Sequence, residues 1–521
     1  VRELWRNSSD SLTAWEKAAT SPKADYYSLR ESVPKLTNGP QLQSMIPSAT
    51  TDDRGRFVLR GIGRQRVVEL FVSGPEIETA IIKARTSDGD VVTVPHQFGF
   101  GAVSSMRETY QPRTFTHVAA PSRPLRGKVV DDETGNPVEN VRVSAGSVTT
   151  FTSFGKSYLS ATTRADGTFD LPGLSLSGDS LFVMPPRGSR YLPQGARPAF
   201  TKGDGPVTLD LRLTKAPIIR GRVTDDRNGK PVKAAIQYFA KSDNEFLARH
   251  PGFKQSGSHE VVTDEDGRFE IAVSPGEGYL SVLAFDHAKY KRAGQHPKGT
   301  FASPAAAPGM YRTYPSLLMV ANFHHVEPVA IAPAANVESA DQEIDIALGS
   351  GAEFIAEVVD ADGKPVTDFV YLGESESSGW RTARDGKLFV RGYYEDRPRE
   401  VIVFHKATNS AARLGLTGKA PRKLVVQLEP AASIRGRLLD DRGLPLANKK
   451  VFGDAVVKND FGKPEYTWAT DDQGRFGVLG ILPGRKYSLW VMTSRGMVEF
   501  IAKDVATDSA TGKDLGDITV K

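Results

Sequence analysis

A short motif recurs five times along the 521 residues, and it is the feature that most limits the folds open to this chain. It consists of a threonine, three residues, a glycine, one residue and a large apolar residue. Asp and Gly supply a tight turn, with Gly at a positive φ angle at little steric cost, and the threonine and the apolar residue flank it as strand residues. Each copy therefore predicts a β-hairpin. The copies are Thr51–Phe57, Thr163–Phe169, Thr263–Phe269, Thr382–Leu388 and Thr470–Phe476.

A second motif precedes four of the five turns. Its apolar and polar residues alternate, which predicts a half-buried strand, and a Gly-containing turn with a proline follows. Together the two motifs give about seven short strands for each copy, a pattern typical of an antiparallel sandwich and not of an α/β fold. The predicted fold class is all-β, as a tandem array of about five β-sandwiches. The second motif spans Gly127–Val138, Gly221–Val232, Ala356–Val366 and Gly436–Leu446.

These residues resemble a known family. GRVTDDRNGKPV with TDEDGRFEI, and GRLLDDRGLPL with TDDQGRFGVLGILPGRKYSLWV, are similar to the carboxypeptidase regulatory-like repeat. The resemblance implies a seven-stranded Greek-key sandwich of the prealbumin-like, Ig-like and carbohydrate-binding-like kind. It also implies a non-catalytic accessory role, with no catalytic residues to transfer. Similar regions occur in large bacterial proteins, where they can follow a membrane metallopeptidase or a sigma-factor-like module.

The motifs predict five domains. The first copy has a turn but no upstream strand, so we expect residues outside the sequence to complete it; the alternative is an edge-open domain. Between residues 8 and 36 the segment LTAWEKAA has helical spacing after Ser and Asp caps, which predicts a short helical insertion near the N-terminus. The predicted ranges are 1–120, 121–215, 216–349 with a long loop at 285–325, 350–430 and 431–521.

The charged residues argue against nucleic acid as a partner. The chain has 67 Lys and Arg against 62 Asp and Glu, a net charge of +5, and the two signs are interleaved along it. A nucleic-acid binder is expected to concentrate basic residues on one stripe or helix. Cysteine is absent, which excludes disulfides, thiolate zinc sites and cysteine nucleophiles. No apolar run approaches the roughly 18 residues that span a bilayer, so no transmembrane segment is predicted.

Long insertions follow equivalent strands in three copies, and they are where binding is expected. They cover Val94–Arg113, Met184–Phe200 and the stretch from Phe285 to Ser316, all mixing aromatic, basic, Pro and Gly residues. Loops of this length are commonly functional. In the alternative interpretation they pack between neighbouring domains and stiffen the array. The candidate residues for a polysaccharide or an acidic cell-surface polymer are Tyr290, Arg292, His296, Tyr311, Arg312 and Tyr314.

Partial matches to catalytic, cofactor-binding and metal-binding motifs each lack a required residue or geometry. His259-Glu260 begins like a zinc-protease motif, but Thr263 occupies the place of the second histidine. Gly155-Lys156-Ser157 resembles the end of a phosphate-binding loop, yet Thr150 replaces the required glycine. His324 and His325 are adjacent and would face opposite ways on a strand. The paired aspartates precede Gly-containing turns, where Asp is favoured for hydrogen bonds to its own backbone; they are Asp131-Asp132, Asp225-Asp226 and Asp440-Asp441.

The sequence therefore predicts a non-enzymatic, extracytoplasmic binding or spacer region without a catalytic site, cofactor or metal. Its expected partners are a polysaccharide or cell-surface polymer, or other modules of the parent protein. The alternative is a structural or regulatory C-terminal tail of a larger membrane peptidase or signalling protein.

Overall fold

The computed structural model describes residues 3–5, 15–17, 19, 35–37, 48–64, 66–95, 107–145, 159–174, 181–196, 198, 206–241, 243–249, 259–293, 323–332, 337–376, 380–447, 449–453, 467–492, 498–507 and 511–520. Strands dominate, and they form several separate sheets, which confirms the predicted all-β sandwich fold class. The chain divides into two compact units, residues 1–187 with 193–214 and residues 188–192 with 215–521. The five domain ranges remain predictions, and the repeats are numbered by them.

The first repeat contributes one six-stranded sheet in the order β2-β1-β3-β4-β6-β5. Residues 15–17 and 19, between β1 and β2, are helical, as predicted for the N-terminal insertion. The buried Trp15 ring packs edge-on against Tyr110 with 4.8 Å between ring centroids. The strands are β1 (Glu3–Trp5), β2 (Lys35–Thr37), β3 (Val67–Val72), β4 (Ala80–Arg85), β5 (Val92–Pro95) and β6 (Arg107–Gln111).

In their described residues, the other four repeats each contain seven or eight strands. The second has β7 (Leu125–Asp131), β8 (Arg142–Ala145), β9 (Leu159–Thr162), β10 (Thr168–Leu171), β11 (Leu181–Met184), β12 (Gln194–Ala196), β13 (Val207–Thr208) and β14 (Leu211–Leu213). The third has β15 (Ile218–Asp225), β16 (Ala234–Ala240), β17 (His259–Val262), β18 (Arg268–Ala272), β19 (Gly276–Ala284), β20 (His325–Ile331), β21 (Gln342–Glu343) and β22 (Ile346–Leu348), with short 3-10 helices at Glu245–Arg249 and Val337–Ala340.

The last two repeats follow the same plan. The fourth has β23 (Ala352–Val359), β24 (Phe369–Leu372), β25 (Arg381–Ala383), β26 (Lys387–Tyr393), β27 (Arg399–His405), β28 (Ser410–Leu416), β29 (Leu424–Gln427) and β30 (Glu429–Pro430). The fifth has β31 (Ala432–Leu439), β32 (Lys450–Gly453), β33 (Thr467–Ala469), β34 (Arg475–Ile481), β35 (Lys486–Met492), β36 (Val498–Ala506) and β37 (Lys513–Thr519).

Repeats two to five share one two-sheet topology. In one sheet the first strand pairs antiparallel with the fourth strand and parallel with the end of the repeat, as β15 does with β18 and with β21 and β22. The other sheet has the order third, second, fifth and sixth strand, as in β17-β16-β19-β20. The inward residues of both sheets form one core, in which Val223 and Phe269 of one sheet pack with Ile236 and Val282 of the other. The strands β2-β1-β3-β4 of the first repeat match the second sheet of this topology.

The recurrent turn joins the two sheets. In the third repeat Asp264 Oδ1 accepts hydrogen bonds from Asp266 N at 3.0 Å and Arg268 N at 2.8 Å, so the local turn forms as predicted. However, β17 pairs with β16, whereas β18 pairs with β15. The strands that flank Thr263–Phe269 therefore belong to opposite sheets. The β-hairpin prediction is wrong for repeats two to five, because the chain crosses the core at this turn. It is wrong for the first repeat as well, because residues 48–64 form no strand.

The threonine of the motif holds the crossing in place. Thr263 is buried, and its Oγ1 donates a hydrogen bond to Val232 O at 3.0 Å and accepts one from Ala234 N at 2.9 Å. Thr163 and Thr470 make the same pair of bonds in the second and fifth repeats. A buried hydroxyl that both donates and accepts is fully satisfied, which fixes the turn to the chain after the Gly-x-Pro segment.

Replacing Thr263 by valine is expected to destabilise the third repeat by about 1–3 kcal/mol, since Val232 O and Ala234 N would each lose a buried partner. Native-state hydrogen exchange of the third-repeat amides measures this opening free energy. Thr382 occupies the same place in the fourth motif but is exposed, with Ala383 buried instead. Thr382→Val is the matched control, for which a change within about 0.5 kcal/mol is expected. Equal effects of the two substitutions would contradict the assigned role.

No helix among the described residues is long and apolar enough to cross a membrane.

Candidate functional site

Within each compact unit, repeats meet through the loop that follows the fifth strand of the earlier repeat. In the first unit, Thr79 lies after β3, and its backbone N donates to Gly173 O of the second repeat at 2.9 Å. In the second unit, Asn409 lies after β27, and its Nδ2 donates to Ala431 O at 2.7 Å while its Oδ1 accepts from Gly480 N at 2.9 Å. The long insertions of the second and third repeats begin at this same position. The prediction of equivalent positions is wrong for the first insertion, which begins within β5 and contains β6, because further strands follow β3 in that repeat. The loop of the third repeat is the longest of them, and its first residues, 285–293, are described.

A buried ion pair anchors this loop to its own sandwich. Asp225 ends β15 and is 1% exposed, and its Oδ2 lies 2.6 Å from Lys289 Nζ. Its Oδ1 accepts hydrogen bonds from Ser350 Oγ at 2.9 Å and from Arg227 N at 3.1 Å. Burial raises the pKa of Asp225, but the hydrogen bonds from Lys289 and Ser350 outweigh burial and hold that pKa below its usual value. The pair is therefore charged at neutral pH.

Tyr290 and Arg292 of the predicted binding set lie at this junction. Tyr290 is 7% exposed, its hydroxyl donates to Asp225 Oδ2 at 3.3 Å, and its ring lies 5.2 Å from Lys289 Nζ. Arg292 is partly exposed, and its carbonyl accepts a hydrogen bond of 3.4 Å from Arg397 Nη2 of the fourth repeat. The structure brings these two residues to the start of the fourth repeat. This position agrees with the interpretation in which the long loops pack between neighbouring domains.

The other four members of the predicted set, His296, Tyr311, Arg312 and Tyr314, lie outside the described residues. Binding of a polymer by the set therefore stays a prediction.

The connection between the third and fourth repeats pairs with the loop through its backbone. Lys291 N donates to Gly349 O at 2.9 Å, and Gly351 N donates to Lys289 O at 3.1 Å. Ser350 lies between these glycines, and its backbone N donates to Asp226 Oδ1 at 2.9 Å. Both aspartates of the Asp225-Asp226 pair thus accept hydrogen bonds from Ser350 in the connecting segment.

The fourth repeat contacts the same loop through a tyrosine and two ion pairs. The Tyr394 hydroxyl donates to Gly349 O at 2.8 Å, and burial raises the pKa of Tyr394 well above its ordinary value. Lys291 Nζ lies 2.7 Å from Asp396 Oδ2, and Arg391 Nη2 lies 2.7 Å from Asp286 Oδ2. These pairs join the two repeats at both ends of the described loop segment.

A buried guanidinium supports the fourth-repeat side of the contact. Arg399 is 6% exposed, and its Nη1 donates to Arg391 O at 2.6 Å while its Nη2 donates to Gly392 O. Gly392 has a φ of 57°, and a Cβ there would lie 2.4 Å from Ala288 O of the third repeat. The two backbones therefore approach so closely that only glycine fits between them.

A second anchor lies at the other end of the third repeat, where Gly188–Leu192 belongs to the second unit. Asp341 Oδ1 accepts from Arg190 Nη1 at 2.8 Å and from Ile218 N at 2.9 Å. Its Oδ2 accepts from Arg190 Nη2 at 2.7 Å and from Arg220 Nη1 at 2.9 Å. The bidentate Arg190 holds the pKa of Asp341 well below its usual range. Leu192 is buried in the core of the third repeat, so part of the second long insertion also packs into a sandwich.

Sequence reasoning missed most of the residues that build this site. The sequence indicates Asp225 only as a member of a paired-aspartate turn, and the expected hydrogen bond to the local backbone is present through Arg227 N. No local pattern distinguishes it from Asp440, whose Oδ1 accepts only from Arg442 N and Leu444 N among the bonds that the structure gives it. Lys289 carries no signal in the sequence, because its partner lies 64 residues away.

Metal-binding groups of three or more His, Asp or Glu side chains do not occur in the parts of the chain given above. His325 Nε2 lies 3.0 Å from Glu327 Oε2, while His324 is buried and contacts Ala284 and His287 instead. The adjacent histidines thus have separate partners.

No protein-family model and no curated protein matches the sequence. Among solved structures, the chain is similar to the Bacillus anthracis TIE protein at 12% identity and a TM-score of 0.14, over 80% of this chain and 52% of that one. It is similar to a streptococcal ancillary pilin at 13% identity and a TM-score of 0.17, over 67% and 91% of the two chains. The RrgB pilus protein of Streptococcus pneumoniae matches at 8% identity and a TM-score of 0.14, over 72% and 90%. TM-scores this low carry no argument about function.

Proposed function

We propose that this chain is a non-enzymatic spacer outside the cytoplasm, built from carboxypeptidase regulatory-like β-sandwich repeats. The observation that carries the proposal is the junction between the third and fourth repeats. A loop that captures a ligand keeps its charged and aromatic side chains accessible, whereas Lys289 and Tyr290 are occupied with the buried Asp225. A rigid connection between repeats would also suit a structural tail of a larger membrane peptidase or signalling protein. That role is the alternative function.

The mechanical role follows from the kind of contact at the junction. Inter-domain motion is the default when an interface is small and polar. Here the connecting segment makes two backbone hydrogen bonds to the loop, and charged pairs lie on both sides of them. Bending would break these backbone hydrogen bonds and pull the charged pairs apart. Because the side chains of those pairs are partly exposed, the hydrogen bonds are expected to contribute more than the charges. We therefore expect repeats three and four to behave as one body.

Distance measurements between spin labels test this proposal. The chain contains no cysteine, so Glu265→Cys and Asp385→Cys place one label on an exposed turn of each repeat. A single narrow distance distribution is expected for this protein. Asp225→Asn, which leaves Lys289 without its anion, is expected to weaken the junction by roughly 2 kcal/mol and to broaden the distribution at least about twofold. The expected loss of junction stability is smaller than for a fully buried ion pair because the Lys289 side chain is 28% exposed.

Asp440→Asn is the matched control, since Asp440 occupies the same repeat position and accepts bonds from its own turn. It is expected to leave the distribution unchanged. A broad distribution in the protein without either Asn substitution would contradict the spacer proposal.

A further inference from the structure

The turn of the first repeat is exposed where its counterparts are buried. Phe57 is 39% exposed and Val58 is 67% exposed. The counterpart of Phe57 in the third repeat, Phe269, is 6% exposed, and that in the second, Phe169, is 2% exposed. Thr51 is also exposed, although Thr163, Thr263 and Thr470 are buried at the same place in the motif. The local turn nonetheless forms, since Asp52 Oδ1 accepts from Arg54 N and Arg56 N at 3.0 and 2.8 Å.

The exposure has an identifiable cause in the pairing of the strands. The residues after the turn glycine form the fourth strand in repeats two to five, and that strand pairs with the first strand of its repeat. In the third repeat, Val223 N donates to Gly267 O, and a Cβ at Gly267 would lie 2.4 Å from Val223 O. At Gly55 a Cβ would meet nothing within 4 Å. Residues 56–59 belong to no strand, and no first strand lies beside them in the described part of this repeat.

The other strands of the first repeat are present, and they define the position beside residues 56–59 that a first strand occupies in the other repeats. The strands β2-β1-β3-β4 are paired in one sheet, and Leu59, Ile62 and Phe115 pack against its core. The Phe57 ring lies edge-on to Phe115 at 6.1 Å between centroids. Segment 56–59 therefore contacts the core of this sheet through Leu59, while residues 56–58 are exposed.

We infer that residues 56–59 are the acceptor for a β-strand with the sequence pattern G-x-V-x-D, which begins the second motif at Gly127–Asp131 in the second repeat and at Gly221–Asp225 in the third. Main-chain pairing gives such strand addition its affinity, and side-chain fit gives its specificity. The pattern fits because its glycine faces the aromatic ring of the turn motif: Gly221 is the partner of Phe269, and Gly127 is the partner of Phe169. A Cβ at these glycines would lie 3.0 and 2.8 Å from the ring. The inference goes beyond the proposed spacer function, because it assigns a binding surface for a polypeptide.

A peptide taken from this chain tests the inference. Residues 216–227, APIIRGRVTDDR, contain the first strand of the third repeat. The full chain is incubated with this peptide, and hydrogen exchange is followed at individual segments. We expect protection of amides 56–59 to rise at least tenfold, with exchange in β3 unchanged. The same peptide with Gly221→Val is the control, and it is expected to bind at least tenfold more weakly by fluorescence anisotropy, since the added side chain would meet the Phe57 ring.

Equal affinity of the two peptides, or absence of protection at 56–59, would overturn the inference. Protection of amides 56–59 that is present without peptide and is lost on dilution of the protein would also overturn the inference. It would show that a second copy of the chain covers the segment in another way. Phe57→Asp adds a check on the chain itself. It removes the apolar partner of the peptide glycine, so it is expected to abolish peptide binding while exchange in β3 shows that the sheet remains folded.

Discussion

Gly221→Ala is expected to unfold the third sandwich, with a loss of more than about 3 kcal/mol of opening free energy. A Cβ at Gly221 would lie 1.9 Å from Ile344 O and 3.0 Å from the Phe269 ring. The carbonyl cannot retreat without disrupting the parallel pairing of β15 with β21 and β22, and the ring is buried in the core. Hydrogen exchange of β15 and β18 amides measures the loss, which should reach the rates of an unfolded segment.

Two other glycines supply graded controls for this experiment. Gly436 occupies the same position in the fifth repeat, but a Cβ there would meet the Phe476 ring at 2.9 Å and Gly516 O only at 3.3 Å. The register of β31 with β37 is irregular at this point, which leaves the carbonyl farther away. Gly477→Ala, in β34, would meet nothing within 4 Å. We expect destabilisation to fall in the order Gly221, Gly436, Gly477; an equal loss at Gly221 and Gly477 would show that steric exclusion by the strand pairing is not the cause.

The third repeat, which contains Gly221, also shows how much of the fold can be predicted from sequence alone. The spacing of the two motifs was enough to predict strands, turns and a sandwich in each of repeats two to five, because alternation and turn residues act locally. The partner of each strand was not predictable in the same way. Thr263 and Phe269 are six residues apart and look like two arms of a hairpin, yet their strands pair with β16 and β15 respectively. That choice depends on burial of Phe269 and on the hydrogen bonds of Thr263, which are tertiary contacts.

The junction illustrates a second limit. Aromatic and basic residues in a long loop fit ligand binding and inter-domain packing equally well, so composition left both interpretations open for Tyr290 and Arg292. What distinguishes them is whether an acidic partner lies within reach. Asp225 provides one for Lys289 and Tyr290, but this proximity results from the path of the chain between repeats. Charge pairs across such sequence separations leave no periodic pattern to find.

A buried histidine at the base of the same loop makes the third repeat sensitive to pH. His324 is 7% exposed, and its Nδ1 accepts a hydrogen bond from Ala284 N at 3.0 Å. Nδ1 therefore carries no proton, and Nε2 donates to His287 O at 3.3 Å. Burial lowers the pKa of His324 to about 4, with further lowering by His287 and Arg292, while the His287 carbonyl and Asp286 oppose it. Tyr290 also faces the imidazole, edge-on at 6.0 Å between ring centroids.

Stability of the third repeat is expected to fall as pH is lowered from about 6.5 to about 4. An unfolded histidine takes up a proton near pH 6.5, whereas His324 in the folded repeat resists protonation until about pH 4, so protons favour the unfolded state throughout this window. The difference between the pKa of His324 in the unfolded and folded states corresponds to at most about 3 kcal/mol of opening free energy. Below pH 4 the histidine contributes no further slope, and above pH 6.5 its stabilising contribution is complete. The opening free energy of the third-repeat amides, measured by hydrogen exchange across pH 4 to 7, tests this dependence.

His324→Asn separates this histidine from the other groups that titrate in the same range. Asparagine can accept the Ala284 N–H but cannot take up a proton, so the slope between pH 6.5 and 4 is expected to flatten. Some slope should persist, because burial also lowers the pKa of His287. His405→Asn is the matched control, since His405 is only partly buried and its Nδ1 contacts the exposed Thr408 hydroxyl. If His324→Asn and the unsubstituted chain lose stability with the same slope, the buried imidazole is not the group that senses pH, and the titration must be assigned to His287 or to a carboxylate.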